Sequence, residues 1–350
     1  MEKIDALVKR YIDYGVFPGG VLLVGTDREV LLEKAYGYRA TFPQKEEVST
    51  DTIYDLASLT KVVGIVPAIM KLLEDGEIRL WDPVGRFIKE LSIGKRQEVR
   101  IFHLLTHTSG FPPYSNAWRY CKTPGELREE LLRVEPSYEI GTDIVYSCLN
   151  FIFLGFIIEG ITQHPLDRFL RECIFLPLDM EDTTFLPQDR ERVAPTWERD
   201  GEILRGKPDD ELAYYQGGIS GNAGLFSTAK DLYKYARSYI NPDYYIFSPY
   251  TISLFTKEHV SFKEERRALG WMIKGINSSC GDLFSEGSFG HTGYTGTSLW
   301  IDPKKKIVII FLSNRTHLSR RVNSSDNNLE RMIEFRPRLH NLVIASILSD

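Results

Sequence analysis

The sequence predicts an α+β fold, in which an antiparallel sheet built from both ends of the chain is flanked by helices, with a mostly helical lobe inserted between its halves. Runs of β-branched and aliphatic residues lie at 19–37 and 298–312, near opposite ends of the chain. Between residues 58 and 239 the apolar spacing is mostly helical and is broken by Gly- and Pro-rich loops. Strands at both ends with helices between them indicate one shared sheet.

The length of 350 residues allows one large domain or two lobes that share a cleft. We expect a single domain over 1–350, with an α/β lobe at about 1–57 and 266–350 and a helical lobe at about 58–265. The composition is that of a globular protein, because 43% of the residues are apolar and 26% are charged.

The first elements along the chain are a helix and a hairpin. Apolar residues recur near the start at the spacing of one helix face: Ile4, Leu7, Val8, Tyr11 and Ile12. The β-rich runs 19–25 and 30–37 follow, and the polar residues 26–29 between them predict a hairpin turn.

The last elements are strands followed by a closing helix. Residues 270–274, 298–302 and 307–312 have strand character, and the sequence Pro303-Lys304-Lys305-Lys306 predicts a hairpin turn between the last two. The segment 337–348 predicts a closing helix.

Charge and apolar patterning exclude several classes of protein. The net charge is -5 and basic residues are dispersed apart from the predicted turn, so we expect no nucleic-acid partner. The most apolar run, 151–158, is far shorter than the ~20 residues that span a bilayer, and the first residues contain no signal-peptide core. We therefore expect no membrane partner and a cytoplasmic location.

The four cysteines predict free thiols. Cys121, Cys148, Cys173 and Cys280 show no close pairing and no C-x-x-C, which favours neither a disulfide framework nor a zinc knuckle. The glycines at 217–224 match neither a phosphate loop nor a dinucleotide fingerprint, so they predict a loop at the edge of a cleft. We expect no cofactor, and the oligomeric state stays open.

Ser58 and Lys61 are the candidate nucleophile and base. Residues i and i+3 share one face of a helix, so the Lys61 amine can reach the Ser58 hydroxyl. A serine hydroxyl needs such a partner to react at neutral pH, and burial or a neighbouring charge can lower a lysine pKa far enough for it to accept the proton. The pair predicts a serine acyl-hydrolase.

Two other Ser-x-x-Lys sequences have different surroundings. Ser92 and Lys95 lie in a predicted loop with a solvated lysine. Ser227 and Lys230 lie at a predicted helix start, where Ser227 or Thr228 is the candidate N-cap and Asp231 would close a capping box from Thr228. Only Ser58 precedes a run that is apolar on nearly all sides, at 62–73, as expected for a buried helix that can hold a nucleophile rigidly.

Two further motifs follow in order: Tyr146-Ser147-Cys148-Leu149-Asn150 and Gly290-His291-Thr292-Gly293-Tyr294. With Ser58 and Lys61 they resemble the serine β-lactamase and penicillin-binding-protein superfamily, and within it the group of class C β-lactamases, D,D-peptidases and family VIII esterases. The segments 104–110, 223–232 and 291–296 resemble signatures of the same group, and the resemblance extends over about 1–315. It implies a β-lactamase/transpeptidase-like fold.

The resemblance also implies roles for single residues. Ser58 would be the acylated nucleophile, Lys61 its base, and Tyr146 would share the proton with Lys61. The oxyanion hole would use the N–H of Ser58 and that of Tyr294, which follows Thr-Gly on an edge strand. The substrate would be bound by side chains and backbone of the two later motifs: Cys148, His291, Thr292 and Gly293.

Two positions depart from the pattern of the group. Cys148 stands where relatives have an asparagine that hydrogen-bonds the substrate amide, and Asn150 is an alternative source of that amide. His291 replaces the lysine of Lys-Thr-Gly, so a fixed cation becomes a group with an ordinary pKa near 6.5. We therefore expect binding of carboxylate-bearing substrates to fall as pH rises through the pKa of His291. His-Thr-Gly also occurs in some D,D-peptidases and many esterases of the group.

Other local patterns give weaker support for a metal site, a cysteine nucleophile or a substrate pocket. His103 and His107 have i, i+4 spacing, but the Glu of H-E-x-x-H and a third ligand are missing, so we expect no metal. Cys148 as a nucleophile would need a paired histidine that the sequence does not indicate. Six aromatic residues in the loop-rich middle are either core or the lining of an acyl pocket: Tyr114, Trp118, Tyr120, Trp197, Tyr214 and Tyr215.

The predicted function is a serine hydrolase that forms an acyl-enzyme on Ser58 and acts on a small ester or amide. Three alternatives stay open. One is a D-amino-acid peptidase or amidase on cell-wall-derived fragments, and the second is a weak β-lactamase. The third is a penicillin-sensing domain that is acylated and then stalls.

Overall fold

The computed structural model describes residues 1–199, 201–319 and 327–347. The strands in chain order are β1 Gly19–Thr26, β2 Val30–Ala40, β3 Glu46–Glu47, β4 Tyr54–Asp55, β5 Thr184–Phe185, β6 Glu198–Arg199, β7 Glu202–Ile203, β8 Leu225–Ser227, β9 Val260–Phe262, β10 Glu265–Arg267, β11 Met272–Ile273, β12 Phe289–Thr292, β13 Ser298–Asp302 and β14 Ile307–Ser313. The α-helices are α1 Glu2–Asp13, α2 Val66–Glu74, α3 Ile101–Leu105, α4 Pro124–Leu132, α5 Cys148–Thr162, α6 Leu166–Leu170, α7 Glu211–Tyr215, α8 Ala229–Arg237, α9 Pro249–Thr256, α10 Thr316–Ser319 and α11 Asn327–Ile347. Two π-helical turns, Lys61–Ile65 and Arg171–Phe175, adjoin α2 and α6.

The described strands include a nine-stranded antiparallel sheet in the order β3-β2-β1-β14-β13-β12-β11-β10-β9. Strand β1 pairs with β2 on one side and with β14 on the other, where Gly20 lies opposite Ser313. The N-terminal and C-terminal hairpins are therefore joined edge to edge. This confirms the predicted antiparallel sheet built from both ends of the chain.

Alternation along β1 buries both faces of the sheet. Val21 and Leu23 belong to the large apolar cluster that includes α2 and α5, whereas Leu22 and Val24 belong to a second cluster with α1 and α11. Successive side chains of a strand point to opposite faces, so one strand contributes to both clusters. The sheet is thus covered by helices on each face.

The closing helix begins earlier than the sequence predicts. Helix α11 starts at Asn327, and Pro337 lies inside it rather than at its start. A proline inside a helix removes one hydrogen bond and costs about 3 kcal/mol. Met332, Phe335 and Leu339 bury one face of α11 against the second cluster, and this packing continues the helix through the proline.

Two predicted strand features also differ. Strand β11 covers only Met272–Ile273 of the predicted 270–274. Strand β12 is not an edge strand, because β11 pairs with it at Phe289 and Gly290. The pairing with β11 stops at Gly290, so only His291 and Thr292 of β12 are left without a strand partner on this side.

The two-lobe division remains a prediction, although β9 and the first residue of β10 extend the sheet into residues assigned to the helical lobe. Within the described ranges, no helix has both the length and the apolar character needed to cross a membrane.

Candidate active site

A tight turn brings Ser58 and Lys61 together. The N–H groups of Leu59, Thr60 and Lys61 each donate to the carbonyl three residues earlier, at 3.0–3.1 Å, as in a 3₁₀-helix. This geometry places side chains i and i+3 one above the other, and Lys61 Nζ donates to Ser58 Oγ at 3.0 Å. The sequence predicted that Ser58 and Lys61 share one helix face. The turn up to Lys61 is, however, tighter than an α-helix, and the π-helical turn from Lys61 to Ile65 is wider.

The residues before Ser58 hold this turn in place. Ala57 has a φ of 47°, which strains a non-glycine residue. The Asp55 carboxylate stabilises this conformation by accepting the N–H of Ala57 at 2.8 Å, and its other oxygen accepts the N–H of Asp209 at 2.8 Å. Burial raises the pKa of Asp55 to about 7.

Tyr146 completes a three-residue cluster on Ser58 Oγ. Its hydroxyl donates to Ser58 Oγ at 2.7 Å, so this oxygen accepts from both Tyr146 and Lys61. Lys61 Nζ also donates to the carbonyl of Asn222 at 2.7 Å. Three residues predicted to act together therefore meet at one oxygen atom.

The electrostatics of this cluster differ from expectation. Burial lowers the pKa of Lys61, but its interactions with Cys148, Tyr146 and Asp210 outweigh that effect, so its pKa lies above the ordinary value and not below it. Burial raises the pKa of Tyr146 more than the Lys61 ammonium lowers it. The resting cluster at neutral pH is therefore an ammonium and a neutral phenol.

His107 forms the wall behind Tyr146. Its ring centroid lies 4.6 Å from that of Tyr146, and its Nδ1 accepts the N–H of Ser147 at 3.1 Å. Asn150 Nδ2 lies 3.1 Å from the same nitrogen, so Asn150 supports His107 and is not the substitute amide considered from the sequence. Burial lowers the pKa of His107 well below its ordinary value.

The i, i+4 pair of histidines does not form a shared ligand set. His103 Nδ1 accepts the N–H of Arg100 at 3.1 Å, away from the partners of His107. Within the described ranges, no group of three or more His, Cys, Asp or Glu side chains is placed to hold a metal ion.

Cys148 lies in the cleft beside Lys61. Its Sγ is 3.9 Å from Lys61 Nζ, and burial raises the pKa of its thiol, so the group is neutral at neutral pH. A thiol at this position is a weak hydrogen-bonding group.

His291 lies behind the reactive residues rather than at the cleft surface. It is 3% exposed, its ring centroid lies 5.9 Å from that of Tyr146, and it is absent from the described cleft lining. Burial lowers its pKa well below the ordinary value, and the cations Arg267 and Lys61 lower it further. His291 is therefore neutral, and the expected loss of a histidine cation near pH 6.5 is contradicted.

The turn after β12 is fastened to the nucleophile segment. Thr295 Oγ1 donates to the carbonyl of Asp55 at 2.8 Å, and Thr297 Oγ1 donates to that of Leu56 at 3.0 Å. Gly293 allows the close approach, since a Cβ there would overlap the Leu56 carbonyl. These bonds fix residues 293–297 beside Ser58.

Two buried arginines hold the same turn from behind. Arg315 donates to the carbonyl of Tyr294 at 2.8 Å, and Arg336 donates to that of Gly293 at 2.9 Å. Within the described part of the chain, the N–H groups of Ser58 and Tyr294 donate to no other group. They are thus available for a ligand oxygen, as the predicted oxyanion hole requires.

The cleft above Ser58 has a volume of about 310 Å³. Of the six aromatic residues considered from the sequence, Tyr114 and Trp197 line it, whereas Trp118 and Tyr215 stack on each other at 5.4 Å and are not part of the described lining. The remaining walls include three consecutive acids, Asp209-Asp210-Glu211.

Sequence reasoning missed Asp55, Asn222 and the acidic segment 209–211. The only signal was indirect: Asp55 directly precedes the Ser58 motif, and Asn222 lies in the loop assigned to a cleft edge. Their contacts join segments distant in sequence, which no local pattern shows.

The other two Ser-x-x-Lys sequences lie elsewhere. Ser92 is exposed and its hydroxyl donates to the carbonyl of Lys89. Thr228 is the N-cap of α8 and accepts the N–H of Asp231, as predicted. The Asp231 carboxylate, however, accepts the N–H of Asp182 at 2.8 Å and does not close a capping box.

Comparisons with known proteins agree with this geometry. The Beta-lactamase family model matches residues 4–330. A "Putative D-alanyl-D-alanine carboxypeptidase" from Escherichia coli O157:H7 is 32% identical over 364 residues, which cover 91% of this chain and 82% of that protein. The solved structure of "EstCE1, a hydrolase with promiscuous acyltransferase activity" matches with a TM-score of 0.77 at 20% identity, over 96% of this chain and 98% of that chain. A class C beta lactamase from Rhodobacter sphaeroides matches with a TM-score of 0.75 at 18% identity, over 98% and 100%.

Proposed function

Since this chain belongs to the beta-lactamase family of hydrolases, we propose that it is a serine acyl-hydrolase that forms an acyl-enzyme on Ser58 and acts on a small ester or amide. The observation that carries the proposal is the double donation to Ser58 Oγ, from Lys61 at 3.0 Å and from Tyr146 at 2.7 Å, at the base of a cleft.

In the first step, Ser58 Oγ attacks the acyl carbon and its proton passes to the deprotonated member of the Lys61 and Tyr146 pair. The same proton is then given to the leaving alcohol or amine as the bond to the acyl carbon breaks. In the second half-reaction a water molecule gives a proton to the basic form of the pair and attacks the acyl carbon of the Ser58 ester. The bond to Ser58 Oγ breaks, Oγ takes that proton, and the acid is released. Because the pKa of each partner is raised, the basic form of the pair is scarce at neutral pH.

The N–H groups of Ser58 and Tyr294 would bind the oxyanion that forms in both half-reactions. Their support is rigid, because the Tyr294 turn is bonded to Asp55 and Leu56 on one side and to Arg315 and Arg336 on the other. Removing one such donor typically lowers kcat by about 10²–10³.

The charges around Ser58 favour substrates without a carboxylate. His291 is neutral. Apart from the Lys61 ammonium, which donates to Ser58 Oγ, Arg199 is the only cationic side chain in the described lining of the cleft. Arg199 already faces Glu211 at 3.8 Å. A β-lactam or peptide carboxylate would therefore meet an acidic wall.

A D,D-carboxypeptidase is the second candidate, and the name of the relative at 32% identity favours it. The proposal also includes a cytoplasmic location, which suits the four unpaired cysteines: Cys121, Cys148, Cys173 and Cys280. Fractionation of cells that make the protein tests the location.

The function is tested with p-nitrophenyl acetate and butyrate, nitrocefin and a D-Ala-D-Ala peptide, recording both turnover and intact protein mass. We expect sustained ester turnover that is lost in Ser58→Ala and kept in Ser92→Ala, because Ser92 is exposed and is not part of the described cleft lining. Unchanged turnover in Ser58→Ala would exclude the proposal. Faster release of D-alanine than of p-nitrophenol would favour the carboxypeptidase, and one burst with a lasting mass adduct would favour a penicillin sensor.

A further inference from the structure

The acidic wall of the cleft is not explained by the chemistry at Ser58. Asp209, Asp210 and Glu211 line the same cavity as Ser58, and only one cation, Arg199, is present in the described lining. Consecutive carboxylates around a buried reaction centre repel one another and lose hydration, which is unfavourable unless each has a partner.

Two of the three acids have partners within the protein. Asp210 is the N-cap of α7, where it accepts the N–H of Ala213 at 2.9 Å, and it also accepts from Asn222 Nδ2 at 2.9 Å. Glu211 accepts from the Tyr114 hydroxyl at 3.1 Å and faces Arg199. These two carboxylates therefore have structural roles.

Asp209 is different. Its Oδ1 is buried and has no hydrogen-bond partner in the described part of the structure. Arg199 donates to the main-chain carbonyl of Asp209 at 2.9 Å, not to the carboxylate. Burial raises the pKa of Asp209 to about 6, which still leaves it ionised at neutral pH. The cleft thus contains a carboxylate whose buried Oδ1 accepts no hydrogen bond in the described part of the structure, although the nearby cations Arg199 and Arg315 partly offset the effect of burial on its pKa.

The position of Asp209 relative to the nucleophile is fixed from two sides. Its own N–H donates to the Asp55 carboxylate, which also holds the N–H of Ala57, the residue before Ser58. The next residue, Asp210, is bonded to Asn222, whose carbonyl accepts from Lys61. Asp209 therefore cannot move away from the reaction centre without breaking these bonds.

We propose, resting on the proposed function, that Asp209 is a specificity-determining residue that selects acyl donors bearing an ammonium group, namely aminoacyl esters and amides. An ammonium donates charge-assisted hydrogen bonds to a carboxylate, whereas a methyl group of the same size leaves the carboxylate unpaired. Discrimination is strong when a buried polar group of the site loses its partner.

The test compares two p-nitroanilides of the same shape, those of alanine and of isobutyric acid, in which an ammonium replaces a methyl group. We expect wild-type kcat/KM to favour the alanine substrate, and the ratio of the two values to fall by about tenfold to a hundredfold in Asp209→Asn. Asp243→Asn is the matched control, because it removes one exposed carboxylate outside the cleft and leaves the ratio unchanged. An equal ratio in wild type and Asp209→Asn overturns the proposal.

A binding measurement separates this proposal from the catalytic one. In Ser58→Ala, calorimetric titration with alaninamide and isobutyramide reports recognition without turnover. Tighter binding of alaninamide that is lost in Ser58→Ala/Asp209→Asn supports selection by Asp209 even if Ser58 proves not to be the nucleophile. Equal binding of the two amides refutes the selection while leaving ester hydrolysis by Ser58 intact. Thermal melting of each variant shows whether it is folded.

Discussion

Asp55 allows a quantitative test of the buried charge beneath the nucleophile. Its side chain is 2% exposed and joins Ala57 to Asp209 through its two oxygens. Burial raises its pKa from 3.8 to about 7. Between about pH 4 and 7 the folded protein therefore holds a proton that the unfolded chain has lost, and stability falls as pH rises through this window.

The magnitude follows from the width of the window. Each pH unit in which only the native carboxyl is protonated costs about 1.4 kcal/mol, so this residue lowers the free energy of unfolding by up to about 4 kcal/mol between about pH 4 and 7. Asp55→Asn removes the titration. The amide oxygen of the variant still accepts one of the two N–H groups, those of Ala57 and Asp209, but its NH₂ group is placed against the second. This mismatch lowers the free energy of unfolding by about 1–3 kcal/mol at every pH.

The assay is urea unfolding of wild type and Asp55→Asn, followed by tryptophan fluorescence at intervals from about pH 4 to 8. The free energy of unfolding of the variant minus that of wild type is expected to rise across the window by up to about 4 kcal/mol, since titrating groups that do not interact with Asp55 cancel in the difference. Asp243→Asn should give a flat difference, because Asp243 is exposed. A flat difference for Asp55→Asn as well would refute the assignment of a buried, proton-binding carboxyl.

Three further results are expected. Because the pKa of both Lys61 and Tyr146 is raised, log kcat/KM for a neutral ester should rise with pH through neutrality with a slope near one. A flat profile from about pH 6 to 9 would contradict the raised pKa values. Tyr146→Phe should lower kcat by about 10²–10⁴. Gly293→Ala should reduce both the melting temperature and activity, since its Cβ overlaps backbone of the nucleophile turn, whereas Gly125→Ala meets only an atom at 3.9 Å and should melt at or above the wild-type temperature. His291→Lys should lower the melting temperature without increasing nitrocefin hydrolysis, because it buries a cation near Arg267; a gain in nitrocefin turnover would show that the position reaches the substrate.

Local patterns were sufficient for much of the fold. The continuous runs of β-branched and aliphatic residues in β1, β13 and β14 predicted strands, and the uniformly apolar run after Lys61 predicted a buried helix. The start of α11 was not predictable, because a proline normally marks a helix boundary and only the packing of its apolar face against the sheet overrides that rule.

The candidate site likewise contains residues that the sequence could nominate and residues that it could not. Ser58, Lys61 and Tyr146 could be nominated because each belongs to a short motif. The state of His291 could not, since its pKa depends on burial and on cations contributed by Arg267 and Lys61, which are distant in sequence. The acidic wall was missed because Asp209 matters through a buried Oδ1 that accepts no hydrogen bond, and hydrogen-bond partners are a property of the folded chain.

The pairing of β1 with β14 has a consequence for the order in which the protein folds. The register that sets Gly20 opposite Ser313 closes a loop of almost the entire chain, and such long-range pairing is slow because the entropy of closure is lost before the contacts form. Until β14 arrives, β1 presents an unpaired edge whose residues Val21 to Val24 are apolar on both faces. A fragment that ends before β14 would therefore expose a template for intermolecular β-pairing, and aggregation is the expected fate of such fragments.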